Sequence, residues 1–86
     1  MYFLESSKRL DKIIAKMAKR DPIQYAALQK KIRQILEDPH RFKPLHAPLQ
    51  HLRRVHIYGS FVLTYTIAES RKAVVLEDYT HHDQAY

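Results

Sequence analysis

The spacing of apolar residues changes once along this chain, and that change restricts the folds it can adopt. From Leu10 to Leu36 apolar residues recur every three or four positions, which is typical of helices with one buried face. From Arg54 to Tyr79 apolar and polar residues alternate, which is typical of strands that bury one side. The sequence therefore predicts helices first and a sheet afterwards, which is an α+β arrangement.

Local turn residues divide these two regions into elements. A short apolar run over residues 1–5 predicts a strand, and the two serines after it can cap a helix. Asp21 and Pro22 separate two segments in which apolar residues recur at helical spacing. Residues 39–51 hold three of the four prolines, which predicts a loop. The last three strands are expected over residues 54–58, 61–67 and 73–79. The predicted order is β-α-α-β-β-β, with a helical hairpin packed on one face of a small, mainly antiparallel sheet and the other face open.

Composition limits the organisation and the class of partner. A chain of 86 residues is long enough for about one compact core, so we expect a single domain over residues 1–86. The chain has no Cys, which excludes disulfides and fits a reducing compartment, so a cytoplasmic location is expected. No apolar run approaches the roughly 18 residues that a membrane span requires. The net charge of +6 fits a polyanionic partner, either nucleic acid or an acidic protein.

Arg54 and His56 are the first candidate site residues. Alternation sends Val55 and Ile57 to the buried face of their strand, so Arg54 and His56 lie on the open face about 7 Å apart. A cation beside a group that titrates near neutrality can hold a phosphate and move a proton. The alternative is an ordinary solvated strand face with polar residues at every second position.

Histidines elsewhere could join this pair. His82 and Tyr86 are four residues apart and would share a face if the C-terminal segment is helical. His81 and His82 would point in different directions, and we expect His82 to face the site. His46, in the proline-rich loop, is a further candidate or a solvated surface residue. Phe61, at the mouth of the hairpin, could either close the core or stack on an unpaired base.

A metal site is an alternative use of these histidines. His46, His56 and His82 together could bind zinc, since three His side chains can hold this ion. None of the usual closely spaced ligand pairs accompanies them, and the chain has no glycine-rich phosphate loop. We therefore expect no metal and no other cofactor.

Two segments resemble the RelE/ParE toxin superfamily. Residues 54–65, RVHIYGSFVLTY, resemble the superfamily segment in which basic or His residues alternate before a turn with Gly, followed by an aromatic residue and a strand ending in Tyr. The closing HHDQAY resembles the His- and Arg-rich C-terminus, with a terminal aromatic residue, of the YafQ-like branch. The order of elements and the length match over essentially all 86 residues.

The resemblance implies a type II toxin that enters the ribosome, cuts mRNA without a metal and so inhibits translation. It also implies a cognate antitoxin, which we expect to be acidic and partly disordered because the toxin is basic. The resemblance also implies which residues form the site. His56 matches the His or basic residue before the turn, Arg54 matches a basic substrate-binding position, and Phe61 matches the aromatic residue after the turn. His82 and Tyr86 match the C-terminal His and aromatic residue of the YafQ-like branch, and His46 matches its loop histidine more loosely.

The chain departs from the superfamily pattern at two positions. Many RelE-like members have Arg where this chain has Val62, and the YafQ-like branch often has Asp where it has Ser60. Phosphate binding would then depend on Arg53, Arg54 and Lys43. Two other functions share this fold or charge: a ParE-like toxin that binds DNA gyrase without cutting nucleic acid, and a non-catalytic module that binds RNA or the ribosome.

Overall fold

The computed structural model describes residues 1–81 and has the predicted order of elements. Strand β1 spans Phe3–Glu5 and is followed by helices α1 (Lys8–Arg20) and α2 (Pro22–Glu37). The remaining elements, in chain order, are β2 (Arg53–Ile57), β3 (Phe61–Ala68), a short 3₁₀ turn (Glu69–Arg71) and β4 (Ala73–His81). No helix in residues 1–81 is long and apolar enough to cross a membrane.

Side-chain caps fix where the two helices begin and end. The Ser7 hydroxyl accepts a hydrogen bond of 3.1 Å from the backbone N–H of Leu10 and so caps α1. Asp21 acts at two helix ends, because its N–H donates to the carbonyl of Met17 and its carboxylate accepts from the N–H of Gln24. Pro22 occupies the first turn of α2, where a missing N–H costs nothing. The tight hairpin between the helices follows from these two residues.

The sheet has the strand order β1-β4-β3-β2. Strands β2, β3 and β4 form an antiparallel meander, whereas β1 pairs in parallel with β4 through Phe3 and Ala73. The register between β3 and β4 shifts between Thr64 and Tyr65, where β4 has one extra residue. The prediction of a mainly antiparallel sheet is therefore confirmed, with one parallel pair at its edge.

One face of the sheet packs against both helices. The core contains fully buried side chains from α2, such as Leu28 and Ile35, and from the strands, such as Ile57 and Leu63. Tyr65 lies among them, and its hydroxyl donates a hydrogen bond of 2.7 Å to the carbonyl of Pro39. The opposite face of the sheet, which the helices do not cover, is called the open face below.

Glu69 joins segments that are far apart in sequence. Its carboxylate accepts hydrogen bonds from the Tyr2 hydroxyl (2.6 Å) and the Lys72 ammonium (3.1 Å), and lies 2.8 Å from Nε2 of His40. The hydrogen bonds from Tyr2, His40 and Lys72 lower the pKa of Glu69 to about 2. The turn before β4 is thereby tied to the N-terminus and to the loop after α2.

Candidate active site

Arg54 and His56 lie side by side on the open face of the edge strand β2. In the register with β3, Arg54 is opposite Thr64 and His56 is opposite Val62. Residues two apart on one strand are separated by about 7 Å, so one substrate phosphate group and its neighbouring sugar can contact both side chains. The His56 side chain is exposed and that of Arg54 is half-buried. The structure therefore brings the first two predicted site residues together.

The buried neighbours of these residues hold them in place. Val55 and Ile57 alternate with Arg54 and His56 along β2 and both belong to the core. Because the side-chain period of a strand is two, burial of Val55 and Ile57 forces the residues between them to the other face. A slip of one residue would bury a cation and expose two aliphatic side chains, so the core strongly fixes the register.

The centre of the open face is less exposed than the sequence pattern suggests. Val62 and Thr64 lie on this face of β3, yet they are only 2% and 5% exposed. In the register, Val62 lies between His56 and Thr80, and Thr64 lies between Arg54 and Asp78. The open face is therefore buried along the central strand, whereas His56, on the β2 edge, is exposed.

Sequence reasoning did not single out Thr64 and Thr80 as neighbours of the candidate site. Thr64 is the cross-strand partner of Arg54. Thr80, on β4, is aligned with Val62, which is in turn aligned with His56. Threonine is common in strands for its branched side chain, so the residue type alone gave no signal. The length of the turn between β2 and β3 sets their register and could have identified Thr64. The position of Thr80 depends on the pairing of β3 with β4, where the register shifts at Thr64 and Tyr65.

The turn beside His56 differs from the prediction. Tyr58 was expected to be the last residue of the strand predicted over residues 54–58, but it lies in the turn of residues 58–60. Both Tyr58 and Gly59 have positive φ, of 54° and 76°, as a tight hairpin turn requires. The Tyr58 side chain is 59% exposed. The alternation continues through Ile57 and Tyr58, so the pattern did not reveal where the chain reverses.

Phe61 lies on the helix side of the sheet, opposite to the face of Arg54 and His56. Its ring stacks on Tyr79, with centroids 5.7 Å apart and planes 9° from parallel. The rings of Phe61 and His81 form a T-shaped contact, with centroids 5.3 Å apart. Phe61 is half-buried and packs against the core. Of the two roles expected for Phe61, the geometry favours closing the core, with one part of the ring left accessible.

The loop residues lie at the other end of β2. A backbone hydrogen bond of 2.9 Å from Leu45 to Leu52 closes the segment that contains His46. His46 is exposed and lies beyond the start of β2, on the order of 10 Å along the strand from His56. Lys43 is also exposed, in the same loop. An antiparallel bridge pairs Pro44 with Arg53, so the backbone of Lys43 lies alongside the start of β2, near Arg54.

Arg53 is partly engaged by this loop. Its Nη1 donates to the carbonyl of Phe42 at 2.5 Å, and its Nη2 lies 3.4 Å from Nδ1 of His40. The side chain is half-buried. Arg53 therefore fastens the loop to the start of β2, and its remaining N–H groups are available to a ligand.

The two C-terminal candidates, His82 and Tyr86, lie outside the described residues. Strand β4 ends at His81, which is aligned with Phe61, and Phe61 is aligned in turn with Ile57. His81, the last described residue, therefore lies at the same end of the sheet as His56, two strands away, or about 10 Å. Among residues 1–81, no group of three or more His, Asp or Glu side chains could hold a metal ion.

Two buried tyrosines are structural rather than reactive. Burial raises the pKa of Tyr65 and of Tyr79 to about 12. The Tyr79 hydroxyl donates to Oε1 of Gln24 at 2.6 Å, and that of Tyr65 donates to Pro39. Both hydroxyls remain protonated near neutral pH and are fixed as donors, so neither can serve as a base.

Comparison with known proteins agrees with this fold. The family profile of the ParE toxin of type II toxin–antitoxin systems, parDE, matches residues 4–86. An uncharacterized protein of Methanosarcina mazei is 48% identical over 86 residues, which cover 100% of both chains. The candidate toxin RelE4 of Methanocaldococcus jannaschii is 44% identical over 86 residues, which cover 100% of this chain and 92% of that protein.

Solved structures share the same arrangement. The isolated RelE toxin of E. coli matches with a TM-score of 0.76 and 20% identity, over 99% of this chain and 88% of that chain. A chain of the E. coli RelBE toxin–antitoxin complex matches with a TM-score of 0.76 and 20% identity, over 93% of this chain and 95% of that chain. At such identity the likeness shows the fold, and the profile and the relatives above show the family. This chain belongs to the ParE toxin family of the RelE/ParE superfamily and is a toxin of a type II toxin–antitoxin system.

Proposed function

We propose that this toxin is a ribosome-dependent endoribonuclease that cuts mRNA and so inhibits translation. The observation that carries the proposal is the pairing of Arg54 and His56 on the accessible edge of the open face. A guanidinium binds a phosphate through two parallel hydrogen bonds, and an imidazole accepts or donates a proton near neutral pH. A single-stranded substrate running along the β2 edge would meet both groups.

The reaction needs no metal if two groups move protons. A base removes the proton of the ribose 2′-OH while its oxygen bonds to phosphorus, and the bond from phosphorus to the 5′-oxygen breaks. An acid protonates that departing oxygen, which leaves a 2′,3′-cyclic phosphate. In this proposal His56 and His82 share these two roles, Arg54 holds the phosphate, and Tyr86 orients the nucleotide or assists proton transfer.

The other candidates have supporting roles in this proposal. Arg53 and Lys43 supply positive charge at the far end of β2, where the next phosphate along the strand would lie. His46 is exposed in the same region and could contact the substrate there. The accessible part of Phe61 could stack on a base at the hairpin end, although most of its contacts are with Tyr79 and the core.

We also propose that an antitoxin protein controls this toxin. A structural neighbour is the E. coli RelBE toxin–antitoxin complex, and the chain belongs to a family of type II toxins. The net charge of +6 favours an acidic partner, and an extended, partly disordered one could cover much of so small a toxin.

A second candidate function is gyrase poisoning by binding alone. The observation that favours it is that the matching family profile is that of the ParE toxin. Such a toxin would have no need of a cation and an imidazole fixed side by side on an accessible strand edge. Arg54 and His56 therefore favour RNA cleavage.

The first prediction tests the catalytic pair. On ribosomes programmed with a defined mRNA, His56→Ala should lower the single-turnover cleavage rate by about 10²- to 10⁴-fold, because a positioned acid or base contributes that much. Arg54→Ala should weaken cleavage as well, since the phosphate loses its cation. The matched control is His51→Ala, another exposed histidine, which should cleave within about threefold of the wild type.

The same preparation distinguishes the rival functions. If the mRNA stays intact and a supercoiling assay shows that gyrase is inhibited, the protein is a gyrase-binding toxin and not a nuclease. Intact mRNA with unaffected gyrase, but with ribosome binding retained, would indicate a non-catalytic binding module. Cleavage by His56→Ala at the wild-type rate would exclude His56 from the chemistry.

A further inference from the structure

Helix α1 carries nearly all of the net charge of the chain. Residues 8–20 contain six Lys and Arg side chains and a single acid, Asp11, which gives a net charge of +5 where the whole chain has +6. All six cations are exposed. These six residues are called the α1 basic face: Lys8, Arg9, Lys12, Lys16, Lys19 and Arg20.

The six cations occupy one side of the helix. At 3.6 residues per turn they fall within an arc of about 120°, on the side away from the buried residues Leu10 and Met17. From Lys8 to Lys19 the face extends for about 16 Å along the helix axis. The result is a band of positive charge on a rigid support, which reaches the sheet only at Arg9, through Asp78 of β4.

Few of these charges are neutralised within the molecule. Arg9 forms an exposed ion pair of 3.3 Å with Asp78, but the other five cations form no salt bridge within residues 1–81. Like charges three or four residues apart destabilise an isolated helix. Lys8 and Arg9 also lie in the first turn, where the helix dipole disfavours cations. The dipole favours only Lys19 and Arg20, which lie in the last turn. The clustering of the other four cations does not serve the stability of α1, which suggests that it serves a partner.

The chemistry of the face favours nucleic acid over protein. Stable protein interfaces depend on apolar or aromatic anchors and are depleted in Lys. The large exposed apolar side chains in residues 1–81 lie elsewhere, at Met1, Phe3, Leu4, Ile23, Leu49 and Tyr58. A phosphate backbone needs only positive charge, whereas single strands are usually held by stacking on aromatic rings, which the face lacks. Double-stranded RNA is recognised mainly by shape and through its backbone.

We propose that the α1 basic face binds the phosphate backbone of double-stranded RNA without sequence preference. Most of this surface is separate from the proposed cleavage site, because α1 packs on the side of the sheet opposite to Arg54 and His56. Only Arg9 reaches the β4 edge, where it pairs with Asp78. The toxin would then hold base-paired RNA on its helix side and a single strand on its open face. A ribosome offers both, since the message lies beside base-paired ribosomal RNA.

The test measures binding of the full chain to a fluorescent 16-base-pair RNA duplex of arbitrary sequence by anisotropy. Lys12→Gln/Lys16→Gln/Lys19→Gln should weaken binding at least about tenfold and reduce the slope of log affinity against log salt by about 2.7, because three phosphate contacts are lost. Lys12→Arg/Lys16→Arg/Lys19→Arg keeps the charge and should bind within about threefold of the wild type.

A control of equal charge separates the face from net charge. Lys30→Gln/Arg33→Gln/Arg41→Gln removes three exposed cations outside α1 and should change duplex affinity by less than about threefold. Equal losses in both Gln triples would overturn the proposal, since net charge alone would then explain binding. Circular dichroism of each variant should match the wild type, because all six positions are exposed.

Two further probes decide the class of ligand. A single-stranded RNA of the same length should bind more weakly than the duplex and depend less on the α1 lysines. If instead the single strand binds more tightly, the duplex proposal fails. If polyglutamate binds in a manner that requires these lysines while the duplex does not bind at all, the face recognises acidic protein. These measurements need no cleavage, so loss of nuclease activity on ribosomes cannot be mistaken for failure of this proposal.

Discussion

Tyr58 is one of two non-glycine residues in residues 1–81 with a positive φ, the other being Lys72. It has a φ of 54° without being glycine, in the turn next to the proposed site. A side chain in this left-handed region costs about 1–2 kcal/mol, and Asn tolerates the region better than Tyr. We therefore predict that Tyr58→Asn raises the free energy of unfolding by about 0.5–1 kcal/mol, measured by urea denaturation.

Ser60→Asn is the control for that prediction, since Ser60 is exposed in the same turn and does not have a positive φ. If both substitutions stabilise the protein equally, the gain comes from Asn in the turn rather than from relief at Tyr58. Sequence alone could not locate this strain. Tyr58 continues the alternation of β2, and only the three-residue reversal places it in the turn.

At the scale of elements, the prediction was most accurate where burial repeats regularly. The helical spacing of apolar residues and the alternation around Val55 and Ile57 identified the elements to within one or two residues, because each spacing reflects one buried face of a helix or strand. The end of β4 was harder to predict, since the strand continues to His81 through polar residues. The parallel pairing of β1 with β4 also had no local signal, because it joins residues about seventy positions apart.

The buried side of helix α2 gives a prediction about stability. Leu28 is fully buried in the core, so Leu28→Ala should lower the free energy of unfolding by about 2–5 kcal/mol by leaving a cavity. Ile23→Ala on the same helix is the matched control, because Ile23 is 65% exposed and should cost less than about 1 kcal/mol. Chemical denaturation of the two variants compares them directly, and similar losses would mean that α2 packs through another face.

At the scale of the whole molecule, Glu69 links three distant segments and makes stability depend on pH. Its pKa is lowered from 4.5 to about 2 by hydrogen bonds from Tyr2, His40 and Lys72. A carboxylate with a depressed pKa stabilises the folded state above its unfolded pKa and loses that effect as pH falls through the folded value. We expect the stability advantage of the wild type over Glu69→Gln to be full above pH 4.5 and to shrink towards pH 2.

Unfolding midpoints of both proteins between pH 7 and pH 2 test this expectation. Glu77→Gln is the control, because Glu77 is an exposed glutamate whose carboxylate accepts a hydrogen bond from Thr66 on the neighbouring strand. A difference between wild type and Glu69→Gln that stays constant over this range would show that the network does not hold Glu69 ionised. The sequence could not reveal this network, since Tyr2 and His40 are 67 and 29 residues from Glu69.

The pairing of the first strand with the last one affects the order in which the molecule can assemble while it is being synthesised. Phe3 pairs with Ala73, so β1 has no strand partner until β4 has been made. At about 5–20 residues per second, a translating ribosome needs roughly 4–14 s to cover that interval. Contacts local in sequence form early, so the helical hairpin can form long before the sheet. A nascent toxin therefore passes several seconds with its core-facing helices uncovered and its proposed cutting edge incomplete.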